Sequence, residues 1–186
     1  SECFALTWSD IDFEKKKIKV CKQLLYQDKQ WCFAPLKTIN SYRSVNITAE
    51  FAQYLADMKM QYDAERKLYG DGYKRNFVTD RREPKKEKVI EVPDFINVKA
   101  NGEMLTTNGA KFLARIIKKD LGIHFKFHNL RHTYATVLAE NGLNPRYVQE
   151  MLGHSKLEFT LRYYTHITEK MSDAAENALT AAFRFD

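Results

Sequence analysis

Cysteine is scarce in this sequence, and long apolar runs are missing from it. The three cysteines, Cys3, Cys21 and Cys32, are an odd number without C-x-x-C spacing, so neither a disulfide framework nor a zinc site is indicated. No apolar stretch approaches the roughly 20 residues that span a bilayer, and the first residues do not have the pattern of a secretory leader. We therefore expect a cytoplasmic protein that does not associate with a membrane.

Internal repeats and low-complexity tracts are also missing, and the composition is that of a globular chain. Of its 186 residues 44% are hydrophobic, which suffices for one well-packed domain spanning residues 1–186. Lys and Arg number 30 against 24 Asp and Glu, a formal charge of +6 that favours a polyanionic partner without requiring one. The chain begins without an initiator Met or a helix cap, and we expect it to be a fragment truncated at its N-terminal end.

The apolar spacing predicts an α+β fold that is mainly helical, with a small three-stranded antiparallel sheet. Alternating or aromatic runs at residues 17–22, 31–34 and 44–47 predict its strands. Residues 123–127 alternate in the same way. The sheet therefore occupies the first quarter of the chain, and helices follow it.

Helices are indicated by apolar residues at three- and four-residue spacing. Polar caps and terminating glycines mark their ends at Thr48, Gly122, Asn144 and Gly153. Ser155 and Glu158 have the spacing of a capping box. The last predicted helix, 170–186, is rich in alanine and could dock on its own domain or on a neighbouring copy.

The segment from residue 74 to residue 105 shows the least regular pattern. We interpret it as an irregular basic insertion or loop, with short strands near 89–92 and 95–98. Its cations are either a solvated surface or a strip that follows the DNA backbone, since Tyr73 and Phe77 are too few to argue for base stacking. The candidate DNA-binding residues are Lys74, Arg75, Arg81, Arg82, Lys85 and Lys86.

Residue types suited to phosphate chemistry lie between His128 and Tyr164. Arginine, here Arg131, donates two parallel hydrogen bonds to a phosphate and keeps its charge. Histidine exchanges protons near neutral pH, and His154 lies between the other candidates. A tyrosine phenol is a better leaving group than an alkoxide, so a phosphotyrosyl bond can be attacked again and a cut strand resealed.

Three blocks of sequence resemble the signature blocks of the tyrosine recombinase family, the lambda-integrase-like site-specific recombinases. They are His-Asn-Leu-Arg-His-Thr-Tyr-Ala-Thr at 128–136, Leu-Gly-His-Ser at 152–155, and Thr160 followed by Tyr-Thr-His at 164–166. The first eight residues look like the tail of the family's first arginine block, and Leu36-Lys37-Thr38 looks like its lysine-bearing turn. The resemblance covers nearly the whole chain as the family's catalytic domain, with a weak match over residues 74–99.

This resemblance implies an enzyme that cuts and religates DNA through a 3′-phosphotyrosyl intermediate, without a metal or a nucleotide cofactor. Spacing alone does not choose between Tyr163 and Tyr164, and the family's Tyr-Thr-His pattern selects Tyr164 as the nucleophile. By the same resemblance, Arg131 is the second catalytic arginine, His128 transfers a proton and His154 binds the scissile phosphate. Lys37 is the implied general acid, and Glu2 is an implied carboxylate that orients the site. The implied partner is double-stranded DNA, with self-association into a tetramer on DNA and a bacterial or phage-borne source.

One departure from the family pattern concerns the first catalytic arginine, which should fall two positions before Ser1. Loss of one such donor costs roughly 2.7–4 kcal/mol of transition-state stabilisation. We therefore expect this chain by itself to show weak recombination or none. The family's amino-terminal DNA-clamping domain is also expected outside it.

Other interpretations compete with this one. His124, His128 and His132 are four residues apart and could ligate a metal ion, but no carboxylate lies in a ligand position and Arg131 would repel the ion. We expect His124, His132 and His166 to be structural, and Tyr134, Tyr147 and Tyr163 to be packing residues. A type IB topoisomerase and a non-catalytic DNA-binding or assembly module are the alternative functions.

Overall fold

The chain divides into two units, Ser1–His124 and Phe125–Asp186. The computed structural model describes residues 1–164 together with residues 176, 179 and 180. The single catalytic domain over residues 1–186 stays a prediction, and the predicted helix over 170–186 falls largely outside the described residues, as does His166. None of the helices in the described residues has the length and apolar composition that crossing a membrane requires.

Helical residues outnumber strand residues, so the predicted mainly helical α+β class is confirmed. The strands are β1 Ile11–Asp12, β2 Lys17–Val20, β3 Gln23–Gln27, β4 Gln30–Ala34, β5 Arg43–Asn46, β6 Phe77–Asp80 and β7 Lys88–Glu91. The helices are α1 Ala49–Tyr69, α2 Thr107–Leu121, α3 Phe127–Glu140, α4 Pro145–Leu152 and α5 Leu157–Leu161.

The predicted three-stranded antiparallel sheet is present in the first unit, in the order β1-β2-β5. Its membership differs from the prediction, because residues 31–34 belong to β4 in a second sheet. A two-residue turn at Asp28 and Lys29, both with positive φ, brings β4 back against β3. This conformation matches the right-handed twist of paired strands, so the local hairpin replaces the predicted pairing.

The second sheet has the order β3-β4-β6-β7, with β4 and β6 parallel. It draws β6 and β7 from the basic segment 74–105, which is therefore more regular than its sequence suggests. The strand expected near 89–92 is confirmed as β7. The one expected near 95–98 is wrong, since Phe95 and Val98 make only isolated bridges and are buried in the core with Leu24 and Phe33.

The described part of the second unit includes three helices, α3, α4 and α5. The prediction of a strand pattern over 123–127 is wrong, because α3 already begins at Phe127. The predicted cap at Asn144 is confirmed, since its side chain accepts a hydrogen bond from the Arg146 N–H. The capping box of Ser155 and Glu158 is wrong, because Lys156 occupies the N-cap position of α5 and its side chain makes no capping hydrogen bond.

Candidate active site

The N-terminal half of α3 brings two candidate side chains, His128 and Arg131, and a further imidazole to one helix face. His128, Arg131 and His132 stand at positions i, i+3 and i+4, which are neighbours on a helix surface. The two imidazole rings meet edge to face with their centroids 4.7 Å apart. Two imidazoles and a guanidinium therefore share one surface.

Arg131 is tied to the end of the next helix. Its Nη2 donates a hydrogen bond to the carbonyl of Leu152, the last residue of α4. Carbonyl groups at a helix C-terminus carry negative partial charge, which stabilises a nearby cation. The contact fixes the half-buried guanidinium between α3 and the loop that follows α4.

His154 is placed by the turn that ends α4. Gly153 adopts the left-handed conformation, with φ of 69°, and the His154 N–H then donates to the Gln149 carbonyl at 3.1 Å. The imidazole Nδ1 lies 2.9 Å from Oγ1 of Thr160, a residue with no solvent exposure. A buried hydroxyl from α5 thereby holds the ring in one orientation.

A pocket of about 360 Å³ is lined by the imidazoles of His128, His132 and His154. The lining residues are His128, His132, His154, Phe159, Arg162 and Tyr163. Two of them, His128 and His154, were selected from the sequence. The sequence predicts a structural role for His132 and a packing role for Tyr163. Tyr163 does pack against the core of Ala135, Val148 and Leu152, and its hydroxyl lies 2.5 Å from Nδ1 of His132.

Arg162 is a cation at this pocket that sequence reasoning missed. Its guanidinium lies 5.6 Å from the centre of the Phe159 ring, within the distance of a cation–π interaction. The signal for it was weak, because a single arginine near the end of a short helix has no distinguishing spacing. Together with the imidazoles it makes the pocket suitable for an anion.

Tyr164 is not among the lining residues of this pocket. Its hydroxyl donates to the Leu143 carbonyl at 2.5 Å, and its ring packs against the core of Ala135, Val148 and Leu152. Burial raises the pKa of the Tyr164 phenol. The structure therefore brings Tyr163, rather than the predicted nucleophile, to the pocket.

Lys37 and Glu2 lie in the first unit. Lys37 is exposed in the turn between β4 and β5, as predicted. Glu2 accepts a hydrogen bond from Arg43 Nη2 at 2.8 Å. The predicted catalytic residues are thus divided between the units, with His128, Arg131, His154 and Tyr164 in the second.

Most of the six candidate DNA-binding residues are paired with carboxylates. Arg75 forms a two-point ion pair with Glu91. The other pairs join Arg81 to Asp28 and Glu87, Arg82 to Asp80, and Lys86 to Glu83. These carboxylates offset part of the positive charge that the sequence suggests for the segment.

The four-residue spacing of His124, His128 and His132 would also suit a metal site. Among the residues that the structure describes, no group of three or more His, Cys, Asp or Glu side chains is arranged to hold a metal ion. His124 precedes α3, whereas His128 and His132 lie on it.

The sequence pattern of the phage integrase family matches residues 1–171. A XerC-like tyrosine recombinase of Caldanaerobacter subterraneus subsp. tengcongensis is 29% identical over 98% of this chain and 46% of its own length. Tyrosine recombinase XerC of Pediococcus pentosaceus is 31% identical over 94% of this chain and 47% of its own length. The chain spans about half the length of these curated relatives.

Relatives from mobile elements are also similar to this chain. The transposase from transposon Tn916 of Enterococcus faecalis is 28% identical over 90% of the chain and 39% of its own length. Among solved structures, the Tn1549 transposon integrase in complex with transposon right end DNA superposes with a TM-score of 0.71 and 26% identity, over 97% of this chain and 54% of that one.

Proposed function

Because this chain belongs to the phage integrase family of tyrosine recombinases, we propose that it carries out site-specific DNA recombination through a 3′-phosphotyrosyl intermediate. The observation that supports this most is the pocket of the second unit, where His128, His154 and Arg162 line a space of about 360 Å³, with Arg131 on the same face of α3 as His128. Such a set of donors suits the non-bridging oxygens of a phosphate. Relatives from transposons favour the DNA of a mobile element as the substrate.

In the proposed cleavage step the Tyr164 oxygen attacks the scissile phosphorus. The bond from phosphorus to the Tyr164 oxygen forms as the bond from phosphorus to the 5′ oxygen breaks. The phenol proton passes to His128, and the Lys37 ammonium donates a proton to the departing 5′ oxygen. Arg131 and His154 bind the non-bridging oxygens. A 5′ hydroxyl reverses the reaction and reseals a strand, so neither hydrolysis nor a nucleotide cofactor is required.

The position of Tyr164 adds a step to this proposal. Its hydroxyl must leave the Leu143 carbonyl, 2.5 Å away, before it can meet a phosphate in the pocket. Because burial raises its pKa, the phenol is protonated at neutral pH and needs a base in order to act as a nucleophile. His128 is the proposed base.

We infer that cleavage depends on the family's first arginine, whose position in the family pattern lies two residues before Ser1. The comparison that tests this uses an upstream-extended chain that includes the arginine. The expected cost of one missing donor, roughly 2.7–4 kcal/mol, corresponds to a 10²–10³-fold slower reaction. Equal rates for the two proteins would contradict the inference.

Strand exchange between two duplexes tests the proposed function. A recombination site would first be selected from random duplexes by binding, and the upstream-extended chain would then be assayed on two labelled copies. We expect exchanged products for the unmodified protein and for Tyr163→Phe, the matched control, and none for Tyr164→Phe. Relaxation of supercoiled DNA without exchange would instead support a topoisomerase.

Assembly and location are proposed on the same basis. Exchange between two duplexes requires four strand cuts, which suits a tetramer on DNA formed by self-association. The location would be the cytoplasm of a bacterium, where mobile-element DNA is available. Sizing of the protein with and without its selected duplex would test the assembly, and a monomer on DNA under recombining conditions would contradict it.

A further inference from the structure

We propose that Arg43 is a positioning residue that holds the Lys37 turn in the geometry required for proton donation. The proposal rests on the proposed function, in which Lys37 protonates the leaving 5′ oxygen. Its evidence is a chain of contacts confined to the first unit, from Glu2 through Arg43 to the backbone of the turn. None of these contacts involves Lys37 itself, so Arg43 would act through the turn rather than on the substrate.

The turn between β4 and β5 is held by hydrogen bonds between its own residues. The Ser41 N–H donates to the Thr38 carbonyl at 3.1 Å, and the two hydroxyls of these residues lie 2.9 Å apart. The Leu36 N–H donates to the Tyr42 hydroxyl at 3.2 Å, across the base of the turn. Lys37 is exposed, and the two sides of its loop are joined by the hydrogen bond between Leu36 and Tyr42.

Arg43 fixes one side of this loop to the start of the chain. Its Nη1 donates to the Ser41 carbonyl at 2.9 Å, and its Nη2 donates to Glu2 Oε2 at 2.8 Å. The arginine side chain is only 13% exposed, so the pair is partly shielded from water and firmer than a surface ion pair. A planar fork meets two acceptors at once, which a lysine ammonium cannot do in the same geometry.

Gln23 fixes the other side. Its Nε2 donates to the Pro35 carbonyl at 2.9 Å, where the loop leaves β4, and its side chain is 8% exposed. The Ser1 hydroxyl lies 3.5 Å from Gln23 Oε1, and the Leu24 N–H donates to the Ser1 carbonyl at 3.2 Å. Both sides of the Lys37 loop are thus linked to Ser1 and Glu2.

Ser1 and Glu2 belong to the stretch that resembles the family's first arginine block. The links therefore set the position of the proton donor relative to the segment that follows a phosphate-binding arginine in the family. Loss of Arg43 should leave Lys37 chemically intact but misplaced, and the defect should appear only when the leaving group needs a proton.

A substrate with sulfur in place of the bridging 5′ oxygen tests this. A thiol has a pKa of roughly 8.5, so it departs as a thiolate without a proton donor. On the ordinary phosphodiester we expect Lys37→Ala in the upstream-extended chain to cut about 10²–10⁴-fold more slowly, and Arg43→Gln at least about tenfold more slowly. On the thio substrate both variants should match the unmodified protein. Lys59→Gln, which removes an exposed lysine of α1 paired with Asp63, is the charge-matched control and should cut both substrates normally.

The outcomes separate the two proposals. If Arg43→Gln is slow on both substrates while Lys37→Ala is rescued by sulfur, the positioning role is wrong and Arg43 is a general structural residue. If the unmodified protein forms no covalent product with either substrate, the proposed function itself fails.

Amide hydrogen exchange of Ser41 and Tyr42 in the 186-residue chain gives a readout without catalysis. Faster exchange in Arg43→Gln, with the exchange of α1 unchanged, is expected, and unchanged exchange at both amides would overturn the proposal.

Discussion

At the scale of single residues, the contact between Tyr164 and Leu143 determines how the site is understood. Sequence reasoning selected Tyr164 from a three-residue pattern, but a pattern carries no information about where a hydroxyl points. The hydroxyl donates to a backbone carbonyl, whereas the neighbouring Tyr163 reaches His132. The assignment of the nucleophile therefore depends on a movement that has to be measured.

Lys22 shows a second limit of prediction from single residues. Lysines are mostly exposed in folded proteins, yet Lys22 is only 7% exposed and pairs with Asp10, itself 8% exposed. The Thr7 N–H and hydroxyl donate to the same carboxylate at 2.9 and 2.6 Å. Residues 12 positions apart give no local signal of such a pair.

We predict that Lys22→Met destabilises the first unit by about 3–5 kcal/mol, because it leaves the Asp10 carboxylate buried without its cation. The double variant Lys22→Met with Asp10→Leu should recover most of that loss, since no buried charge remains. Urea unfolding monitored by tryptophan fluorescence measures both. A loss below about 1 kcal/mol in the single variant, as for a surface pair, would contradict the prediction.

The same carboxylate predicts the direction of acid sensitivity. Burial opposes ionisation of Asp10, but the hydrogen bonds from Lys22 and Thr7 outweigh it and lower the pKa. Since the folded pKa lies below the unfolded value of roughly 3.9, the stabilisation is full above that pH and is lost as the pH falls through the folded pKa. Asp10→Asn should therefore flatten the decline of stability on acidification, as measured by urea unfolding at a series of acidic pH values.

At the scale of elements, the helix caps at Thr48 and Asn144 were predicted correctly, whereas several strand partners were not. Caps such as Thr48 and Asn144 act through neighbouring residues, and both accept the expected backbone hydrogen bonds. Strand partners are chosen across the fold. The parallel pairing of β4 with β6 joins Cys32 to Thr79, a separation that spans α1, and no alternation pattern specifies it.

Gly153 links a helix end directly to the site. Its φ of 69° is left-handed, a conformation that costs a residue with a Cβ roughly 1–2 kcal/mol. Gly153→Ala should therefore lose about that stability and also displace His154, which lowers DNA cleavage. Gly122→Ala, with φ of 68° and open space around the site of its Cβ, is the matched control.

Both glycine variants should lose similar stability in thermal unfolding, and only Gly153→Ala should lose cleavage in the upstream-extended chain. Equal cleavage by the two variants would show that the left-handed turn does not place His154 for the reaction. Loss of cleavage in both variants would indicate that stability, rather than the position of the His154 imidazole, limits the cleavage assay.

At the scale of the whole molecule, the net charge can be read from the sequence, whereas the ion pairs that neutralise part of it cannot. The formal charge of +6 agrees with a polyanionic partner, but pairing within 74–86 could not be predicted, because Asp28 comes from a distant hairpin and Glu91 from the far end of β7. In the described part of the chain, Lys74 and Lys85 have no carboxylate within ion-pair distance. They are the better candidates for binding phosphates.

We predict that Lys74→Gln with Lys85→Gln reduces the slope of log affinity against log salt by about 0.9 for each phosphate that the protein no longer neutralises, without changing sequence preference. Arg81→Gln should change the slope less, because that arginine already holds Asp28 and Glu87. Fluorescence anisotropy with duplex DNA from low to moderate salt measures the slopes. Equal slopes for the double variant and the unmodified protein would remove this segment from the DNA-binding surface.

The proposed function requires Tyr164 to become covalently joined to a DNA 3′ phosphate. A duplex nicked close to the crossover point loses the short fragment that would reseal it, so the covalent product accumulates. The upstream-extended chain would be incubated with this substrate and digested with a protease, and the peptide that carries the nucleotide would be sequenced by mass spectrometry. We predict a 3′-phosphate on Tyr164. Modification of Tyr163, or the lack of any covalent product, would contradict the claim.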